Sequence, residues 1–192
     1  GLAGRDIEVS SLKDIALANK EVVLSFDDGP VPGKTERILA TLNEFGVKAT
    51  FLMVGEMAQH YPDIAKKVVA EGHTIGSHTF SHPNLRNLTF DRALAEVAKG
   101  EKAVAKATDT DAMFFRFPYL SDNRNLRHMV SERGLVIMDV QVDSKDYFSD
   151  TPALVASRTI AALRHRGSGI ILMHDIHKRT ATMLPALLTQ LK

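Results

Sequence analysis

The chain has 192 residues, 44% of them hydrophobic and 24% charged, a composition that predicts one globular domain with a sizeable core and excludes a disordered chain. Its 24 Lys and Arg residues almost balance its 23 Asp and Glu residues, so no broad basic field exists to attract nucleic acid or a membrane surface. Because cysteine is absent, disulfides and thiolate ligands are excluded, and only histidine and carboxylates remain for a tight transition-metal site. No apolar run reaches about 18 residues, and residues 1–4 are too short for the apolar core of a signal peptide, so we expect a mature or trimmed domain without membrane insertion.

Apolar runs and helical patterns alternate along most of the chain. Residues 1–21 show little periodicity and are interpreted as a lead-in to a domain at 22–192. That domain opens with the apolar run Val22–Phe26, which predicts a buried strand ending in Asp27 and Asp28. Further strands are predicted at 49–54, 73–77, 114–117, 135–142 and 169–174, and helices at about 35–45, 61–71, 89–107, 123–133, 151–165 and 184–191, with Pro185 in the first turn of the last.

This alternation determines the expected fold class. Six strand-then-helix units without a hairpin signal predict an α/β protein whose parallel strands are joined by right-handed crossovers. The arrangement is either a barrel or a wound sheet. Because the chain ends directly after a helix, a closed barrel would lack a final strand.

Reactive side chains follow nearly every predicted strand. They are Asp27 and Asp28, His78 and His82, Arg116, Asp146, and His174. The carboxyl ends of parallel strands meet at one edge, where α/β proteins place their sites. A lone histidine at a strand end is more often structural and a lone arginine is usually solvated, but the alignment of five strand ends predicts a common site.

Two histidines and an aspartate have the composition of a metal site. His78 and His82 are four residues apart, so both imidazoles face one side if their loop makes a helical turn, and the alternative is a solvated loop. With Asp28 as third ligand, the set would have two nitrogens and one oxygen and would leave a position open for water, as in catalytic zinc sites.

The remaining strand-end residues suit acid and base roles. Side chains alternate along a strand, so Asp27 is expected to point away from Asp28, with one of the two facing a pocket. Asp27 is then free to act as a base on the water, and His174 can supply the complementary acid. Arg116 would keep Asp27 ionised, and Asp146 would keep His174 protonated.

Five segments, in this order, resemble the motifs of the polysaccharide deacetylases, which are also called carbohydrate esterase family 4 or NodB-homology domains. The segments are Ser25–Pro30, His78–His82, Arg116–Tyr119, Asp143–Tyr147 and Leu172–His174. The resemblance covers about residues 22–191. It implies a distorted (β/α)7-type barrel, complete or lacking a strand, and one divalent ion that is zinc in most members, with cobalt or others as alternatives.

The resemblance also implies residue roles. It agrees with the assignments above for the metal ligands, the base, the acid and their partners. It adds the Tyr119 backbone N–H as an oxyanion donor, Leu172 in the acetyl-methyl pocket, and Pro118 and Tyr147 in the substrate groove. Tyr147 stands where the family usually has Trp, and Phe117 where Pro is common, which changes the shape of that groove. Three further residues, His165, Asp175 and His177, match no family role.

The activity implied is removal of N-acetyl groups, with release of acetate, from glycans that contain N-acetylglucosamine: peptidoglycan, chitooligosaccharide or poly-N-acetylglucosamine. An O-acetyl esterase acting on xylan with the same site is a second hypothesis. A silent glycan-binding domain is a third, but it predicts loss of the base or the acid, and both are present. The glycan is the expected partner, no protein partner is evident, and the resemblance implies an extracytoplasmic location.

Overall fold

Seven parallel strands form one curled sheet in the computed structural model, which describes residues 21–191. The strands are β1 Val22–Asp27, β2 Thr50–Met53, β3 Thr74–Ser77, β4 Phe114–Phe115, β5 Val136–Ile137, β6 Val142–Asp143 and β7 Gly169–His174. Their order is β5-β4-β3-β2-β1-β7-β6, and every pairing is parallel. The predicted parallel α/β sheet is therefore confirmed, with β1 between β2 and β7.

Seven α-helices connect or follow these strands within the described residues. They are α1 Lys34–Glu44, α2 Gly55–His60, α3 Pro62–Ala70, α4 Phe90–Thr108, α5 Arg124–Glu132, α6 Pro152–Arg166 and α7 Lys178–Leu191. The start of α6 matches its sequence signal, because Thr151 accepts a hydrogen bond from the Leu154 N–H and Pro152 occupies the first turn. None of the described helices is both long and apolar enough to cross a membrane.

The single strand predicted at 135–142 is wrong, and the difference explains the curl. β5 pairs with β4 and β6 pairs with β7, so the two lie at opposite edges although only residues 138–141 separate them. Such a connection spans at most about 18 Å. In a flat sheet with strands about 4.8 Å apart, the two edges would be about 29 Å apart. The sheet therefore curls into a half-barrel. The Met138 and Gln141 N–H groups donate to the carbonyls of Phe115 on β4 and Ile170 on β7, the strands next to the two edges.

Two further predictions differ from the structure. The helix predicted at 61–71 is preceded by a separate helix, α2, because the chain turns at Tyr61 before Pro62 starts α3. The last helix begins at Lys178 rather than at 184, so Pro185 lies in its interior and not in its first turn. Burial of Leu184 and Leu187 on this helix favours the longer helix over a break at the proline. The lead-in predicted at 1–21 lies outside the described residues except for Glu21.

Apolar packing holds the central strands in place. The larger cluster joins β1, β2 and β7 to the helices and includes Phe26 and Phe51, whose ring centroids are 5.2 Å apart. A second cluster packs Phe115 and Phe117 against Leu126 and other residues of α5. The carboxyl ends of β1, β3 and β7 are therefore fixed relative to one another, and the polar side chains that follow them share one edge.

Candidate active site

A cavity of about 490 Å³ lies at the carboxyl edge of the sheet. Its lining includes Asp27, Asp28, His78, His82 and His174, which come from three different strand ends. β1 and β7 run in register so that Asp27 pairs with His174. One of the two aspartates is expected to face a pocket, and the structure places both there. Asp28 has a left-handed backbone with φ 84°, so alternation ends there and both carboxylates reach the cavity.

Asp28, His78 and His82 converge on one point. The Asp28 Oδ1 atom is 3.4 Å from His78 Nε2 and 3.2 Å from His82 Nε2. One ligand atom from each residue lies within 4.8 Å of the others. The imidazoles do not converge through the predicted helical turn. Thr79 and His82 both adopt positive φ, and this non-helical loop brings the two rings to a centroid distance of 4.8 Å.

The hydrogen bonds around this cluster leave lone pairs on His78 and Asp28 that could bind a cation. His78 Nδ1 lies 2.6 Å from the Arg116 carbonyl, which only accepts, so neutral His78 has its proton on Nδ1 and presents the Nε2 lone pair. Asp28 Oδ1 is buried and has no hydrogen-bond partner among the described residues. Burial favours neutral Asp28, but the neighbouring imidazoles, His78 first, outweigh it and keep the pKa of this carboxyl well below its usual range. Two imidazole nitrogens and a carboxylate oxygen are a donor set suited to zinc or a similar divalent ion.

A loop anchor keeps His82 in this position. The carboxylate of Glu96 on α4 accepts hydrogen bonds from the Phe80 and Ser81 N–H groups and from the Ser81 hydroxyl. The His82 N–H in turn donates to Thr79 Oγ1 at 3.1 Å. The two histidines are therefore positioned by a braced loop rather than by a regular element.

Arg116 is buried completely and orients Asp27. Its Nη1 donates to Asp27 Oδ1 at 2.6 Å and to Ser25 Oγ at 2.9 Å, while its Nε donates to the Met138 carbonyl at 3.0 Å. Asp27 is itself only 3% exposed. The guanidinium therefore holds one carboxylate oxygen of Asp27, and Asp27 Oδ2 lies on the side of His78 Nε2, 3.6 Å away.

Asp146 occupies the corresponding place behind His174. Its Oδ1 lies 2.7 Å from His174 Nδ1, and its Oδ2 accepts from the His174 N–H and the Thr180 hydroxyl. The ring is thereby fixed with Nε2 toward Asp28 Oδ2, 4.0 Å away. Burial lowers the pKa of His174, but the hydrogen bond and the charge of Asp146 outweigh burial and raise it to about 9. The structure thus places the predicted acid beside the predicted tuning residue.

The cavity mouth is formed by apolar and aromatic residues. Leu172 is buried in the wall, and Tyr119 is 67% exposed with a left-handed backbone, its ring 4.7 Å from that of His82. The Tyr147 hydroxyl donates to Asp143 Oδ2 at 2.8 Å. Burial and Asp143 raise the pKa of Tyr147 to about 12, so the phenol stays protonated. Pro118, predicted to line the groove, is instead buried at the start of a 3-10 turn and does not line this cavity.

No role was predicted for Asp175, His177 or His165, and the three residues lie in different surroundings in the structure. His165 lies in the last turn of α6. His177 lines the cavity, with its ring 5.8 Å from that of His174. Asp175 is buried and accepts hydrogen bonds from the Gly29 N–H at 3.0 Å and from Thr35 Oγ1 at 2.8 Å.

Asp175 ties the turn after Asp28 to the end of β7. A Cβ atom on Gly29 would lie 2.1 Å from Asp175 Oδ2, so only glycine allows this approach. Burial raises the pKa of Asp175 to about 7, against the hydrogen bonds from Thr35 and Gly29. Its position directly after His174 was visible in the sequence, but its partner Thr35 is 140 residues away.

Thr35→Val is expected to destabilise the fold by about 1–3 kcal/mol, because it removes a buried donor to Asp175 and the acceptor of the Val31 N–H. Thr159→Val is the matched control, since Thr159 is equally buried but its hydroxyl donates only to the Val155 carbonyl of its own helix. Chemical denaturation of both variants measures the difference. Equal losses of unfolding free energy would show that the contact with Asp175 contributes nothing beyond an ordinary buried hydroxyl.

The model of the polysaccharide deacetylase family matches residues 14–138, more than half of the chain. The chain belongs to the polysaccharide deacetylase family. A peptidoglycan-N-acetylglucosamine deacetylase of Listeria monocytogenes is 36% identical over 177 residues, which are 92% of this chain and 37% of that relative. This polysaccharide deacetylase domain therefore spans little more than a third of the length of that relative.

Solved structures agree with this family and with its fold. The peptidoglycan deacetylase Bd3279 of Bdellovibrio bacteriovorus superimposes with a TM-score of 0.85 at 36% identity, covering 91% of this chain and 50% of that one. A family 4 carbohydrate esterase from Streptomyces lividans, in complex with acetate, gives a TM-score of 0.82 at 29% identity, covering 89% and 87%. The predicted distorted (β/α)7-type barrel is confirmed.

Proposed function

We propose that this chain hydrolyses the N-acetyl group of glycans containing N-acetylglucosamine and releases acetate, with zinc as the preferred divalent ion. One observation supports this most directly. Asp27, hydrogen-bonded to Arg116, and His174, hydrogen-bonded to Asp146, face one cavity from adjacent strands, and the Asp-His-His cluster lies in the same cavity. The names of the Listeria and Bdellovibrio relatives support a glycan substrate. Since such polymers lie outside the cytoplasm, we also propose an extracytoplasmic site of action.

Asp27 is the base in this proposal. Arg116 donates a hydrogen bond to its Oδ1 and fixes the carboxylate, so Oδ2 is left to accept the proton of the attacking water. Asp28, His78 and His82 would hold the divalent cation, which would supply Lewis acidity to the hydrolysis when bound. Burial of Asp27 limits competition from bulk water for the accepting oxygen.

His174 is the acid. With Nδ1 hydrogen-bonded to Asp146, the imidazolium has its second proton on Nε2, which faces the cavity. It donates this proton to the sugar nitrogen as the C–N bond breaks, because an amide nitrogen leaves poorly unless it is protonated. The Tyr119 N–H is proposed as an oxyanion donor at the cavity mouth, and Leu172 as the contact for the acetyl methyl group.

Acetate release tests this function. The purified chain, stripped with a chelator and then reloaded with zinc or cobalt, should release acetate from at least one of peptidoglycan, chitooligosaccharide and poly-N-acetylglucosamine. Acetylxylan is the ester control. Release from acetylxylan alone would replace the amidase by an esterase, and release from no glycan by the metal-loaded chain would overturn the proposal.

The Asp146→Asn variant should show the alkaline limb of kcat at lower pH than the parent, by about 1 to 3 pH units. The acid acts in its protonated form, and Asp146 raises the pKa of His174, so removing the negative charge lowers that pKa. A cation at Asp28 lowers the pKa of His174 in both proteins, so the direction of the difference remains. Profiles of kcat against pH are measured at equal metal content, with Asp111→Asn on the exposed surface as control. An unmoved limb would remove Asp146 from this role.

A further inference from the structure

A second cavity, of about 410 Å³, adjoins the active-site cavity. The two share the wall residues Ile176 and His177, so they lie side by side. We call the second cavity the basic pocket and define it by Lys34, Ile176, His177, Lys178 and Arg179. It lies between the start of α1 and the start of α7, next to the strand end that positions His174.

The basic pocket has an excess of positive charge. Its lining includes two lysines and an arginine, and no acidic residue. Lys34 and Lys178 are exposed, and within residues 21–191 neither has an ion-pair partner. Arg179 donates to the Asp146 carbonyl oxygen, which is neutral, so its charge is also uncompensated by that contact. The whole chain has a net charge of only +1, so this concentration of positive side chains is a local feature of the pocket.

The neighbouring groups do not cancel this charge. Asp146 and Asp175 are buried and do not line the pocket, and their carboxylates are hydrogen-bonded to His174 and Thr35. Burial lowers the pKa of His177, so at neutral pH this ring contributes a hydrogen-bonding group rather than a charge. The first turn of α7 has no acidic residue, so the positive end of that helix adds to the field.

We propose that the basic pocket is a subsite for a carboxylate that the glycan bears next to the sugar being deacetylated. The favoured substrate class is then an anionic, peptidoglycan-type glycan rather than a neutral chitin-type chain. This proposal rests on the proposed function, because the pocket matters only if the adjoining cavity binds the reacting sugar. Lysine and arginine side chains attract a carboxylate, and the shared residues Ile176 and His177 place these cations beside the cavity proposed to bind the reacting sugar.

The test uses two substrates that differ only in methylation of their carboxylates, which removes the negative charge. They are a peptide-free tetrasaccharide of peptidoglycan with free muramic acid carboxylates, and the same tetrasaccharide as its methyl ester. For the parent, kcat/KM on the acid should exceed that on the ester by about two- to 25-fold, because an exposed ion pair contributes about 1.4- to fivefold and the carboxylate has two lysine partners. In Lys34→Gln/Lys178→Gln this ratio should fall to about one. Lys66→Gln/Lys106→Gln, which removes two exposed lysines of α3 and α4, is the matched control and should keep the parent ratio.

Two further measurements test whether the effect is electrostatic and which carboxylate causes it. Raising the ionic strength from about 0.01 to 1 M shortens the screening length from about 30 to 3 Å, so the parent ratio should fall toward that of the double variant. A peptide-bearing glycan distinguishes the two sources: a lysine effect only on that substrate would assign the carboxylate to the peptide instead of the sugar. A lysine effect on the peptide-free tetrasaccharide supports the pocket, and so does one confined to the peptide-bearing glycan.

Failure of the proposed function is distinguishable from failure of the pocket. The subsite would be overturned if Lys34→Gln/Lys178→Gln changed neither the acid-to-ester ratio of kcat/KM nor kcat/KM on the peptide-bearing glycan. If the metal-loaded parent released no acetate from any glycan, the proposed function would be wrong. Calorimetry would then still test the pocket, because it measures the dissociation constants of the acid and ester tetrasaccharides for the same proteins. The ratio of these two constants replaces the ratio of kcat/KM.

Discussion

The Asp27→Asn variant should lose about 10²–10⁴-fold in kcat, the usual contribution of general base catalysis, while its metal stays bound. The amide keeps the shape of the side chain and still accepts from Arg116, but it cannot take a proton from water. Asp28 and the two histidines are unchanged, so the zinc content should match the parent. Measurement of kcat at saturating glycan, together with zinc analysis of the same samples, tests both halves of the expectation.

Stability has to be followed in parallel for this variant. Arg116 loses its charged partner in a fully buried position, a change that typically costs about 3–5 kcal/mol. Unfolding midpoints are therefore recorded, and rates are compared below the lower midpoint. Asp111→Asn on the exposed surface is the control. A folded, zinc-loaded Asp27→Asn with a rate close to that of the parent would eliminate Asp27 as the base.

The His78→Ala/His82→Ala variant should lose its metal and, with it, the activity. Two of the three converging ligand atoms are removed, and the remaining carboxylate is a weak site for zinc by itself. The loss of affinity should exceed the roughly 10–100-fold typical of residues that only contact ligands. Competition titration with a coloured zinc chelator measures the dissociation constant in parent and variant.

A matched double variant controls for the general removal of histidine. His60→Ala/His128→Ala removes two exposed imidazoles far from the cavity lining and should bind zinc as the parent does. Parent-like zinc affinity in His78→Ala/His82→Ala would show that the ion binds elsewhere. The Asp28–His78–His82 cluster would then not be the metal site.

Much of the site could be predicted because parallel strands align their carboxyl ends. Asp27, Asp28 and His174 follow continuous apolar runs, and these become β1 and β7, whose register pairs Asp27 with His174. The spacing of His78 and His82 indicated a shared role. The two rings are brought together by a loop with left-handed residues instead of by a helical turn. The assigned catalytic and metal roles stay predictions until the variants are measured.

The sequence by itself determined the α/β class, most helices and the residues at the strand ends, because periodicity and strand termination are local properties. Tertiary structure alone decided that residues 135–142 split between two sheet edges, since the curl depends on all seven strands. It also decided the burial of Asp175 against Thr35 and the meeting of Lys34 with Lys178 in one pocket. These contacts join residues more than a hundred positions apart, and no local pattern encodes which distant side chain fills the space beside a given residue.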